Sequence, residues 1–335
     1  MSVGATAEAV RRGAGLFRLE DRGLIEVTGA DRLRWLDGML TNDVAAASAP
    51  GAGCRALLLT RQGRVVADLH LLSFPERLWL ETARGAVAPA LAALEKLVIA
   101  DDVELADASE RVARLALEGP SAPAILAAAA EGGLRPEALP ADHFAEARIA
   151  GVPVQAAAFG FSGEPAFQLF AAPDSAAAVA EALRAAGADR GLVEGGPPLL
   201  ELLRIEAGTP RFGAELDESV LPDEARLGDA VSTTKGCFIG QEVVARLRSR
   251  ERLQHLLVGL RFADPEPPAP GAEIHAAERR VGEVTSAVRS PLHGAIALGY
   301  VRCEHAEPGT RLAVGGGDAE VAELPFTAAA SSSGP

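Results

Sequence analysis

The sequence predicts an α+β chain of two mixed lobes that ends in a small β-barrel. Up to residue 252, apolar strand segments alternate with amphipathic helical ones, and several neighbouring strands are close enough to run antiparallel. From residue 253 the texture changes to short strands such as "LLVGLRF" and "GAIALGYVRC", separated by Gly and Pro turns. The 335 residues are 48% hydrophobic and 23% charged, which suits two or three domains with a real core. The first lobe is expected over 1–110, the second over 111–252 and the barrel over 253–327, with a disordered tail over 328–335.

In the first lobe, Leu24, Ile25 and Val27 form a strand, and Gly29 turns the chain. Asp31 is placed to cap a helix carrying Leu33, Leu36, Met39 and Leu40. "CRALLLTRQGRVVADLHLLSF" reads as a hairpin around Arg61-Gln62-Gly63. "RLWLETA" is a strand, "AVAPALAALEKLVI" an amphipathic helix and "DDVELAD" a short strand. The second lobe opens with the strand "VARLALEG" and the helix "SAPAILAAAAEGG". The strands "VPVQAAAF" and "PAFQLFAA" and the helix "SAAAVAEALRAAGA" follow, and "PPLLELLRIEAG" is a helix stopped by Gly208.

A net charge of −14 argues against a surface that grips nucleic acid or an anionic membrane. No apolar run approaches the roughly 20 residues of a membrane helix, and the N-terminus lacks a secretory apolar stretch, so a cytoplasmic location is expected. Cys54, Cys237 and Cys303 are far apart and the six histidines are scattered, which excludes a disulfide framework and leaves no spacing for a protein-only metal site.

The densest stretch is "TTKGCFIGQEVVARL", Thr233–Leu247. Only Lys96 and Lys235 are lysines among 32 basic residues, and Lys235 stands two positions from Cys237. A helix is expected after Gly240, with Glu242 in its first turn and Arg246, Arg248 and Arg250 toward its end. A nearby cation and a helix N-terminus both favour a thiolate at Cys237. The plainer alternative is a glycine-rich loop with Cys237 as a small buried residue.

"KGCFIGQEVVAR" resembles the signature of the YgfZ family, folate-binding proteins related to the glycine cleavage T-protein and implicated in iron–sulfur protein maturation. The likeness extends to "VTGADRLRWLDGMLTNDV", "LLLTRQGRVVADLHLL", "LLRIEAGTPRFGAEL" and the C-terminal "VGEVTSAVRSP", "IALGYV" and "LPF". It implies two α+β lobes and a β-barrel around a central hole that binds tetrahydrofolate. It also implies a function in assembling, inserting or repairing iron–sulfur clusters, with iron–sulfur client proteins as partners. Cys237 would then be the nucleophile or redox thiolate, with Lys235 stabilising it, and Gln241 and Glu242 would belong to the same specific site. Arg204, Glu206, Asp68 and Gln168 match folate-holding positions of the T-protein, although Gln168 replaces a glutamate and Ala67-Asp68 replaces an Asp-Asp pair. The alternative implied by the T-protein side is a folate-dependent aminomethyl or one-carbon transferase, in which Asp68 is reactive and Cys237 is not needed.

Beside that resemblance, Asp68 reads either as a general base or as a solvent-facing strand residue, and Arg204 either as a ligand contact or as a snorkelling arginine. Asn42 and Asp43 are suited to capping the segment after the first helix, and His70 reads as a satisfied surface histidine with no assigned role.

Overall fold

The computed structural model describes residues 3–250 and 253–326, so the expected tail over 328–335 lies outside the described residues. Helix α1 (Val3–Arg12) buries Ala7 and Val10 and leads into β1 (Ala14–Arg18). Then come β2 (Arg22–Thr28) and α2 (Arg32–Met39). Asp31 does not cap α2 with its side chain; its Oδ2 accepts from the Asp102 N–H instead, tying the start of α2 to a distant loop. The predicted hairpin is β3 (Gly53–Leu59) and β4 (Val65–Ser73), turning through Gly63 at φ +76, a conformation that favours glycine. β5 (Leu78–Ala83), α3 (Arg84–Glu95) and β6 (Glu104–Asp107) complete a five-stranded antiparallel sheet in the order β3-β4-β5-β2-β6. α2 and α3 cover one face of it through Trp35, Leu36, Val87 and Leu94.

The second sheet begins with β7 (Ala113–Glu118), followed by α4 (Ala122–Ala129), β8 (Ala130–Glu131), β9 (Phe144–Ile149), β10 (Val152–Ala157) and β11 (Ala166–Ala171). α5 (Ala176–Gly187) and β12 (Leu192–Gly195) follow, and the order is β12-β1-β7-β11-β10-β9-β8. β1 therefore leaves its sequence neighbours and pairs parallel with β12, about 180 residues on, and antiparallel with β7. α4 and α5 cover one face through Ile125, Leu126, Val179 and Leu183. The two uncovered sheet faces meet each other: Leu24, Leu72 and Trp79 of the first pack with Ala157, Phe159 and Phe170 of the second.

α6 (Pro197–Ala207) ends at Gly208 in the left-handed conformation, as predicted, and α7 is Gln241–Arg250. The C-terminal segment is the expected all-β unit. β13 (His255–Phe262), β14 (Glu273–Ala276), β15 (Arg279–Ser290), β16 (Gly294–Arg302), β17 (Arg311–Val314) and β18 (Gly317–Ala322) close into a six-stranded barrel. Among the described residues, no helix is long and apolar enough to cross a membrane.

Candidate active site

Where the two sheets face each other, one end of the interface turns from apolar to charged. Alternation puts Asp68 and His70 of β4 on the same face. Arg55 of β3 and Glu81 of β5 stand opposite His70, and Arg22 of β2 stands opposite Ala83. Charges buried this deeply need partners. Arg55 forks onto Asp68, its Nε and Nη2 at 2.9 and 2.7 Å from the two carboxylate oxygens. Arg22 forks onto Glu81, both contacts at 2.6 Å, and also stacks on Phe161. His70 Nδ1 lies 2.8 Å from Asp142 Oδ1, and its ring lies flat against Phe159. Burial opposes ionisation of Asp68, but the charge and hydrogen bonds of Arg55, aided by His70 and Arg22, win and hold the carboxyl below its ordinary range.

On the opposing sheet, Phe17, Ala116, Gln168 and Ala157 form one row across four strands and so point the same way. Gln168 is fully buried, and neither atom of its amide head has a hydrogen-bond partner. Arg114 is similar: its Nη1 donates to the Arg22 carbonyl, while Nε and Nη2 are unpartnered. Each such orphaned group costs about 1–3 kcal/mol. Glu118, also buried, accepts from the Phe161 and Ser162 N–H groups and so fixes the loop that carries Phe161; burial raises its pKa despite those bonds. Between the sheets lies a cavity of about 840 Å³, lined among others by Phe17, Arg22, Asp68, His70, Phe161 and Arg204.

The structure gathers the predicted site residues only in part. Asp68 and Arg204 reach the cavity wall. All five N–H groups of Arg204 are nevertheless spent inside the protein. They bond to both oxygens of Glu201, to the Thr209 carbonyl, to Glu215 at 3.0 Å and to Ser286 Oγ at 2.6 Å. Glu206 faces away from the cavity: it pairs with Arg11 of α1 and accepts from Ser290 Oγ, joining α1, α6 and the barrel. Gln168 stands in the row that begins at Phe17 on the cavity wall but, fully buried, does not itself line the cavity.

The dense motif has a structural explanation. The Lys235 ammonium is engaged by oxygens of the first lobe. Its Nζ donates to the carbonyls of Asp37, Leu40 and Asn42 and to the Asp37 carboxylate, capping the C-terminal end of α2, and its side chain is only 2% exposed. A compact ammonium suits that ring of acceptors better than a planar guanidinium, which explains the lysine in an arginine-rich chain. Phe238 fills a core with Leu57, Leu59 and Leu216. A Cβ on Gly240 would lie 2.7 Å from the Thr60 carbonyl, so this position takes glycine alone. Cys237 is exposed, and neither it nor Gln241 nor Glu242, at the start of α7, lines the cavity. Burial pushes the Cys54 thiol up to about 12. Iodoacetamide at neutral pH is therefore expected to label Cys237 well before Cys54, as read by peptide mass spectrometry; equal labelling would contradict the burial of Cys54.

His70, Asp142, Arg22, Arg55, Glu81 and Arg114 have no place among the sequence-predicted site residues. The only signal was an Asp and a His two apart in the apolar strand "VVADLHLL".

Residues 1–235 match the family described as the GCVT N-terminal domain, and residues 256–327 match the glycine cleavage T-protein C-terminal barrel domain. Curated relatives include the aminomethyltransferase of Streptomyces coelicolor, 34% identical, with 90% of this chain and 82% of that protein aligned. That of Geobacillus kaustophilus is 36% identical over 92% of this chain and 84% of its own. Among solved structures, the glycine cleavage system aminomethyltransferase T from Bartonella henselae superposes with a TM-score of 0.86 at 27% identity, covering 97% of this chain and 89% of that one. These likenesses overturn the expectation of a YgfZ-type iron–sulfur maturation protein, because the relatives named here are described as aminomethyltransferases and match along nearly the whole chain.

Proposed function

Because the chain belongs to the glycine cleavage T-protein family, we propose that it is an aminomethyltransferase that uses a reduced folate as acceptor. The observation that carries this is a charge-lined cavity whose wall holds Asp68 forked by Arg55, with the fully buried, unpartnered amide of Gln168 two strands along the row from Phe17 of that wall. A cavity of about 840 Å³ is of the size that takes a cofactor-sized molecule. Its walls combine the flat apolar surfaces of Phe17 and Phe161 with fixed charges, which suits a heteroaromatic ring that carries polar edges. The Gln168 head supplies one donor and one acceptor side, the complement of the amide-like edge of a pterin, and needs no negative charge to do so.

Tetrahydrofolate, when bound, supplies the amine that accepts the one-carbon unit. The residues of the chain do the rest. Asp68 stays ionised because Arg55 holds it, so it presents a fixed negative charge to any positive charge that develops on a neighbouring amine. The Arg55 and Arg22 forks keep that charge in place, and the facing sheets exclude water and strengthen its field.

The test is Gln168→Leu. Removing an orphaned polar group should raise stability by about 1 kcal/mol in thermal unfolding. The same change should weaken tetrahydrofolate binding about tenfold, read by calorimetry. A variant that binds as wild type would remove Gln168 from the site, and failure of the wild type to bind any reduced folate would remove the proposal itself.

A further inference from the structure

The pair His70–Asp142 is the part of this cavity to which the proposed function gives no task. β4 presents His70 two residues beyond Asp68, on the same face and on the same cavity wall. The ring is held on two sides: Asp142 takes Nδ1, and Phe159 stacks 3.8 Å away at an interplanar angle of 6°. Asp142 itself sits at φ +60, a left-handed conformation kept where it aims the carboxylate. Burial works against ionising Asp142, but the hydrogen bond from His70, helped by the Arg55 charge, outweighs it and keeps the carboxyl below its ordinary range. An ionised carboxylate only accepts, so Nδ1 carries the proton and the neutral ring keeps its lone pair on Nε2. Nε2 has no protein hydrogen-bond partner among the described residues, and the part of the side chain left exposed, 10%, lies at the cavity wall. The charged groups placed beside the imidazole are Asp68 from its own strand, Arg55 from β3, Glu81 from β5 and Asp142 from the second sheet's side; Arg22 of β2 pairs with Glu81, and Arg114 donates to the Arg22 carbonyl. Asp68 is badly placed to take a proton, because Arg55 occupies both of its oxygens.

We propose that His70 is the proton acceptor of this cavity, taking a proton through Nε2 from an amine of the bound substrate, with Asp142 as its positioning residue. The proposal rests on the transferase reading. In the step, the accepting amine forms a bond to the one-carbon unit with its lone pair, its N–H bond breaks with the electron pair staying on nitrogen, and an Nε2–H bond forms on the imidazole lone pair. Asp142 keeps its charge and balances the imidazolium. The proton then passes to the donor's amine as its C–N bond to the one-carbon unit breaks with the electron pair on nitrogen, so that it leaves as ammonia and His70 returns to its neutral form.

The test uses the full-length protein with tetrahydrofolate and an aminomethyl donor. His70→Gln should bind tetrahydrofolate with near wild-type affinity and release ammonia about 100-fold more slowly. Asp142→Asn should slow release in the same direction by a smaller factor. In the wild type, the ¹⁵N resonance of His70 Nε2 should move when tetrahydrofolate saturates the site. A wild-type rate in His70→Gln would overturn the role of His70 while leaving the transferase reading standing. Absence of folate binding or ammonia release in the wild type would overturn both. Should His70→Gln fail to fold, the resonance decides: no movement on saturation overturns the proposal.

Discussion

Arg204→Met should cost the protein about 3–5 kcal/mol of stability, the usual result of stripping one partner from a buried ion pair. Glu215 is the reason. It is 1% exposed and accepts four hydrogen bonds: from Arg204, from the Arg211 N–H, and from the hydroxyls of Thr285 and Ser286. Without the guanidinium, a carboxylate is left buried among neutral groups, and Glu201, Thr209 and Ser286 lose a donor as well. Urea unfolding measures the loss. Folate affinity of the fraction still folded should change little, because Arg204 has no N–H left to give a ligand. A variant that unfolds like wild type but has lost tetrahydrofolate would instead make Arg204 a ligand contact.

Asp68→Asn should lower aminomethyl transfer by about 10²–10³-fold, the range found when a fixed electrostatic group is removed from an active site. Ammonia release under saturating folate reads it, and activity within a few-fold of wild type would rule Asp68 out. The sign of the pH effect follows from the direction of the shift. A carboxyl whose folded pKa is depressed adds stability above its unfolded pKa of about 3.9, and that stability is lost as pH falls through the lower folded value. Asp68 and Asp142 both behave this way, so they add nothing pH-dependent above pH of about 5, and their contribution disappears on acidification below about 4. Acid unfolding of Asp68→Asn should lack the share that comes from this residue.

Local pattern made much of the fold legible. The hairpin turned by Gly63, the helix ended by Gly208 and the barrel of short strands all follow from chemistry within a few residues. β1 escaped notice because its partners, β7 and β12, lie about 100 and 180 residues away, and five residues of "AGLFR" carry no sign of them. The site was legible to the same extent. Asp68 sits in an apolar strand where a lone carboxylate needs a reason, whereas the Asp142 that holds His70 is 72 positions distant. The motif around Cys237 was over-read: its density reflects a lysine under a helix end, a phenylalanine in a core and a glycine against a carbonyl, which together constrain a loop. Alternation along β4 cannot say which of its two faces meets another sheet, and that choice turned His70 from a surface residue into part of a cavity wall.

The knot around Glu215 also bears on how the protein is made. Glu215 leaves the ribosome 70 residues ahead of Thr285, and Arg204 82 residues ahead of Ser286, the residues whose hydroxyls complete their shell. A nascent chain paused in that interval holds both charges without part of their shell, even if the two sheets have already formed. The earlier lobes therefore reach their final polar arrangement only after β15 has been synthesised and docked, which ties completion of the second lobe's polar shell to the arrival of the barrel.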